Sequence, residues 1–198
     1  MTDHEQGRAP HELWITGDPE ADHLLSTSGN ALLIGMVLDQ QVPMEKAFSG
    51  PHVIATRMGG TFDVSAIAAL EVDDFVALCA EKPAVHRFPG SMGNRVQALC
   101  RALLEDYDGD AAAVWTGAAD GADALKRLTK LPGFGDAKSR IFLALLAKQC
   151  GVRLEGWQSA AAPYGEDGYQ SVADITDAAS LAKVREHKQA MKKAAKGA

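Results

Sequence analysis

The sequence predicts an all-α protein. Apolar residues recur at helical spacing from about residue 18 onward, strand-like alternation is nearly absent, and glycine, proline and aspartate break the apolar runs at intervals that suit short helices. At 198 residues, with 46% hydrophobic and 23% charged residues, the chain suits one domain, or two small helical lobes sharing a cleft.

The elements follow in order. Asp18-Pro19-Glu20 has the pattern of a helix start: a capping acid, proline at the first helical position and an acid in the first turn. Asn30 can cap the next helix, whose Leu32, Leu33, Met36 and Val37 make it apolar on most faces and therefore central, up to a stop near Pro43. A helix from Met44 to Phe48 is expected to break at Gly50-Pro51 and resume to Met58, before a turn at Gly59-Gly60. Ser65–Leu70 and Asp73–Ala80 read as short helices. Pro83 to Gly90 reads as non-helical, with His86 a satisfied structural histidine. Val96, Leu99, Cys100, Leu103 and Leu104 mark one face of a helix from Met92 to Tyr107, ended at Asp108-Gly109.

Ala111–Trp115 and Ala122–Leu128 are two more short helices, and Ile141, Leu145 and Leu146 carry the apolar face of one running from Gly135 through Lys148. Beyond Gly151 a long loop with at most one short helix is expected, then a weakly amphipathic basic helix from Ser180 that frays over Lys192–Ala198. The expected division is an extension over 1–17, a domain over 18–182 and a basic tail over 183–198.

Charge is unevenly distributed. Residues 1–80 carry −9, residues 126–153 carry +6, and the whole chain is −6. A basic segment in an acidic chain is the footprint that phosphate binding needs, although a solvated helix face gives the same pattern. Cys79, Cys100 and Cys150 are too scattered for a zinc or iron–sulfur site and read as buried thiols; no metal-ligand motif occurs. No apolar stretch approaches the roughly 20 residues that cross a bilayer, and Met1–Pro10 is polar, so a cytoplasmic protein without membrane association is expected.

The most informative segment is Leu131-Pro132-Gly133-Phe134-Gly135, between two helices. Its glycines permit positive φ and close backbone approach, and Pro132 removes a competing donor. With Gly135 opening a helix, amides and helix dipole favour an anion there, and Lys138 and Arg140 stand near. An ordinary helix–helix turn uses the same residue types.

At these residues the chain resembles the helix-hairpin-helix DNA glycosylase (HhH-GPD) superfamily, whose L-P-G-x-G signature is present letter for letter. Arg95-x-x-x-Leu99 through Leu103-Leu104-Glu105 and Asp108-Gly109, about twenty residues before the hairpin, is similar to endonuclease III-like proteins; so is Leu32-Leu33 through Asp39-Gln40-Gln41. The likeness covers about residues 30–155 and is greatest to a compact bacterial branch associated with base excision repair. It implies a two-lobed helical fold and duplex DNA with a damaged base as partner; nothing in the sequence requires more than a monomer. No cofactor is expected; a potassium or sodium ion on hairpin carbonyls would fit the family pattern.

Carried over by residue, the resemblance implies DNA contacts at Gln41 and over Leu131, Pro132, Gly133, Phe134 and Gly135, with Lys138 and Arg140 assisting. Bifunctional members have a nucleophilic lysine two positions past the second glycine. Here that residue is Ala137, and Lys138 comes about 100° further round the helix, which would aim it at phosphate or solvent. A monofunctional enzyme, without lyase activity, is therefore expected. The family's catalytic aspartate falls at Glu155, where a glutamate reaches further, and a surface pair with Arg153 is the alternative reading; Asp174 stands in reserve. Trp157 and Tyr164 are the residues expected to border a base pocket. A DNA-binding module without chemistry, and a helical interaction protein with an incidental turn, are the competing readings.

Overall fold

The computed structural model describes residues 12–196, so the polar stretch Met1–Pro10 lies outside the described residues. Among the described residues the regular structure is entirely helical: α1 (Pro19–Thr27), α2 (Gly29–Leu38), α3 (Met44–Arg57), α4 (Val64–Ala69), α5 (Val72–Ala80), α6 (Pro89–Tyr107), α7 (Ala112–Thr116), α8 (Gly121–Lys130), α9 (Asp136–Gln149), α10 (Trp157–Ala160), a 3-10 turn over Val172–Asp174, and α11 (Ala178–Lys196). No described helix is long and apolar enough to cross a membrane.

α2 is the hub. Every residue from Ala31 to Leu38 is buried, as the all-round apolar run demands, and α1, α3, α6 and α9 all pack against it. α4 and α5 pack on α6, while α7, α8, α10 and the 3-10 turn gather about α9. One continuous apolar core runs through these groups, from Leu13 to Val184.

Local chemistry explains most boundaries. Asp18 caps α1 by accepting from the amides of Glu20 (2.9 Å) and Ala21 (3.3 Å), and Asp63 caps α4 through Ser65 and Ala66. α6 ends on Asp108 and Gly109, both in the left-handed region.

Several sequence expectations are corrected. Ser28, not Asn30, caps α2; the Asn30 side chain instead donates to the Gly109 carbonyl (2.9 Å) and accepts from the Ala111 amide (2.7 Å), pinning α2 to the α6–α7 connection. α3 runs unbroken through Gly50-Pro51. The reason is packing: Gly35 and Gly50 let Phe48 and Leu38 approach so closely that a Cβ at either glycine would meet them at 2.7 and 2.4 Å, and this contact with α2 holds the helix through the missing proline donor. α6 begins at Pro89, because a proline suits the first turn. Cys150 is exposed, unlike Cys79 and Cys100. α11 continues to Lys196 rather than fraying from Lys192.

Candidate functional site

The turn between α8 and α9 is built from within. The Phe134 amide donates to the Leu131 carbonyl (3.1 Å), and the second central residue, Gly133, has φ +84°, the arrangement that Pro-Gly favours in a type II turn. Gly133 also lies against α2, where a Cβ would stand 3.3 Å from Val37. Leu131 and Phe134 point inward and are buried, Phe134 packing edge-on against Phe142 with ring centroids 5.7 Å apart. Their side chains therefore anchor the turn from within. Gly133 and Gly135 are exposed, and Pro132 is half-buried.

Gly135 is unusual. It caps α9 with φ −97°, a value open to any residue, and a Cβ there would meet nothing within 4 Å. Neither backbone strain nor internal packing calls for glycine at this position.

The two cations expected to assist are committed inside the protein. Lys138 Nζ donates to the Val37 carbonyl (2.9 Å), and burial holds its pKa below the usual lysine range. The Arg140 guanidinium bonds Asp136 (2.8 Å) and the Ala160 carbonyl (2.8 Å). Lys126 and Lys130 on α8 are exposed instead. Lys138 also does not turn to solvent: its long stem reaches across to α2, so both Ala137 and Lys138 line the same cleft.

That cleft, about 1050 Å³, opens beside the turn between the end of α2, the start of α3, the start of α9 and the inner face of α11. Gln41 lies on it, exposed, with φ 59°, a conformation rare for a side-chain-bearing residue. The loop is held there from the other side. His86 Nδ1 accepts from the Phe88 amide (3.0 Å), so its Nε2–H donates to the Gln40 carbonyl (2.9 Å), and Arg95 donates to the Gln40 side chain. His86 is thus the satisfied structural histidine that the sequence suggests.

Two carboxylates face the cleft. Asp39, the C-cap of α2, is held above the ordinary carboxylate range chiefly by burial, against the pull of Lys188 and Lys138. Lys188 Nζ stands 3.8 Å from it. Glu45 pairs with Arg185 of α11 through one oxygen, while its other oxygen is buried without a partner. Sequence reasoning missed Asp39, Glu45, Arg185 and Lys188. The available signals were the acid directly before Gln40-Gln41 and the 185/188/192 spacing of cations on one helix face.

Tyr164 joins Gln41, Ala137 and Lys138 at the cleft. Glu155 does not: it is exposed, and its carbonyl accepts from the Gly121 amide (2.8 Å). Trp157 follows it onto α8, where a Cβ on Gly121 would stand 2.6 Å from the Trp157 Cα. Asp174 is locked in a capping box with Ser171 and bonded to Lys148 (2.6 Å). Among the described residues no group of His, Cys, Asp or Glu side chains gathers to hold a metal ion.

Compared with protein-family models, curated proteins and solved structures, the chain gives no match. Its functional reading rests on its own residues.

Proposed function

We propose that the chain is a monofunctional DNA N-glycosylase of the helix-hairpin-helix class, gripping duplex DNA on the 131–135 turn and receiving an extruded base in the adjoining cleft. The observation that carries this reading is Gly135: an exposed glycine at the N-cap of a 14-residue helix, required by neither φ nor packing, is what close approach of an external phosphate to the backbone would demand. Lys126 and Lys130, exposed on α8 just before the turn, add positive charge near it in sequence. Ala137, lining the cleft at the position where a lyase amine would sit, supports base release without strand cleavage. Extruding a base needs a concave receptor with an aromatic wall, and the cleft with Tyr164 supplies one.

A monovalent cation at the hairpin fits the donor chemistry. The carbonyls of Pro132 and Gly133 accept no hydrogen bond from the described backbone, whereas those of Leu131 and Gly135 are occupied. Pro132 and Gly133 would hold the ion, which would supply positive charge facing a phosphate.

The position of Glu155 outside the cleft favours a second reading, a hairpin module that binds DNA without chemistry. One experiment separates the two. The purified protein is incubated with duplexes that each carry one damaged base, and alkali then reveals abasic sites. Release of a base, with breaks only after alkali, is expected; salt-sensitive binding without release across the panel would establish the binding module instead.

A further inference from the structure

We propose that Asp39 is the carboxylate that acts at the sugar–base bond, in a place on the fold that Glu155 does not reach. The inference rests on the glycosylase reading and assigns the working residue of its cleft. Of the carboxylates that could serve, Glu155 is exposed and off the cleft, Asp174 is fixed by Lys148 and two backbone amides, and Glu45 is paired with Arg185. Asp39 alone combines position with freedom.

Its side chain is 13% exposed, and no described group hydrogen-bonds its oxygens; the nearest cation, Lys188 Nζ, stops at 3.8 Å. A carboxylate withdrawn from water, with a cation at 3.8 Å but no hydrogen-bond partner among the described residues, on the wall of a 1050 Å³ cleft, is poised for a group that enters that cleft. Positive charge faces it from two elements, Lys138 on α9 and Lys188 on α11; the same cleft is also lined by the Glu45–Arg185 pair, by Lys192 and His187 on α11, and by Tyr164. Burial raises its proton affinity, which makes it a stronger base than an exposed aspartate. It also stands two residues before Gln41, and both residues line the cleft.

The reaction balances with water alone. A water oxygen bonds to C1′ of the deoxyribose as the C1′–N bond breaks, and that bond's electron pair leaves on the base nitrogen. Asp39 takes one proton from the water, and that proton passes to the departing base. The products are the free base and an abasic site, with the carboxylate regenerated. Lys188 and Lys138 oppose the effect of burial and so favour the charged form from which Asp39 accepts that proton.

The test compares wild type, Asp39→Asn, Asp39→Glu and Glu155→Gln for single-turnover base release, for binding to an undamaged duplex and for thermal melting. Asp39→Asn is expected to slow release by at least about 100-fold with duplex binding retained. Asp39→Glu, which keeps the charge but displaces it, is expected to fall between Asn and wild type, and Glu155→Gln to match wild type. The wild-type rate should also decline on its acid side as Asp39 protonates, a limb that a merely structural residue would not impose. Wild-type release rates in both Asp39 variants would overturn the assignment while leaving the glycosylase reading intact. So would loss of release in Glu155→Gln with full release in Asp39→Asn. Absence of release by the wild-type protein from every damaged duplex would overturn the glycosylase reading and this assignment with it. Should Asp39→Asn melt early, the Glu variant and the wild-type acid limb decide: full activity in the first and no limb in the second would overturn the assignment.

Discussion

Lys138 Nζ donates to the carbonyl of Val37 across 2.9 Å, tying the first turn of α9 to the last turn of α2. An unpaired carbonyl at a helix C-terminus thereby gains a charged donor, at the point where the glycine turn packs on the same Val37. Lys138→Met retains the stem and removes the donor, so the expected cost is about 1–2 kcal/mol. Differential scanning calorimetry should read this as a melting temperature lower by about 2–8 °C. An unchanged melting temperature would mean that the ammonium belongs to the ligand and not to the fold.

Gly133 and Gly135 sit two residues apart but should fail in opposite ways. Gly133 has φ +84° and touches Val37, so Gly133→Ala should cost about 1–2 kcal/mol of stability by strain alone. Gly135 has open space and an ordinary φ, so Gly135→Asp should fold with wild-type stability. Its added anion at the N-terminus of α9 should nevertheless weaken binding to a fluorescent duplex at low salt by about tenfold or more. Equal binding by wild type and Gly135→Asp would remove the turn from the DNA interface.

His86 predicts a pH dependence. Burial, with smaller repulsion from Lys138 and Lys46, holds its pKa below the usual 6.5. The unfolded chain then binds more protons than the folded one between the two values, so this histidine's contribution to stability is present above 6.5 and is lost as pH falls through that window. Asp39, with a raised pKa, acts in the opposite sense, since its burial cost eases as it protonates. The informative measurement is therefore a difference: urea unfolding of wild type and His86→Gln from pH 7.5 to 5.5. The wild type should lose stability relative to the variant as pH falls, and parallel curves would show that His86 has the same pKa in the folded and unfolded states.

What the sequence disclosed and what it hid divide along physical lines. Periodicity located nearly every helix, because burial on one face or all round is written in local order, as at Leu32–Leu38. The hairpin and the structural role of His86 were also legible, since Pro-Gly spacing and a proline-rich stretch constrain the backbone locally. Helix continuity at Pro51 was not, because Gly35 and Gly50 admit Phe48 and Leu38 across two helices, a tertiary fact. The cleft was hidden for the same reason: Asp39, Glu45, Arg185 and Lys188 come from opposite ends of the chain. Counting from the hairpin led to Glu155, whereas the fold carries that segment onto α8 by way of Gly121.

The α9 C-terminal region supplies the last prediction. Asp174 Oδ1 accepts from Lys148 Nζ at 2.6 Å, and Oδ2 accepts from the amides of Gln170 (2.8 Å) and Ser171 (3.2 Å). Lys148 also donates to the Glu166 carbonyl at 2.6 Å, so one lysine closes the loop that carries Tyr164 and Gln170 to the cleft. With the Asp174 side chain only 5% exposed, Asp174→Ala strands two amides and a largely buried ammonium, at an expected cost of about 3–5 kcal/mol. Replacing both partners, Lys148→Met with Asp174→Ala, leaves fewer unpaired groups and should cost less than the two single losses combined. Urea unfolding of the four proteins gives the coupling directly. Strict additivity would show that the pair does not act as a unit and that packing around Val172 and Ala173, both buried, holds the loop instead.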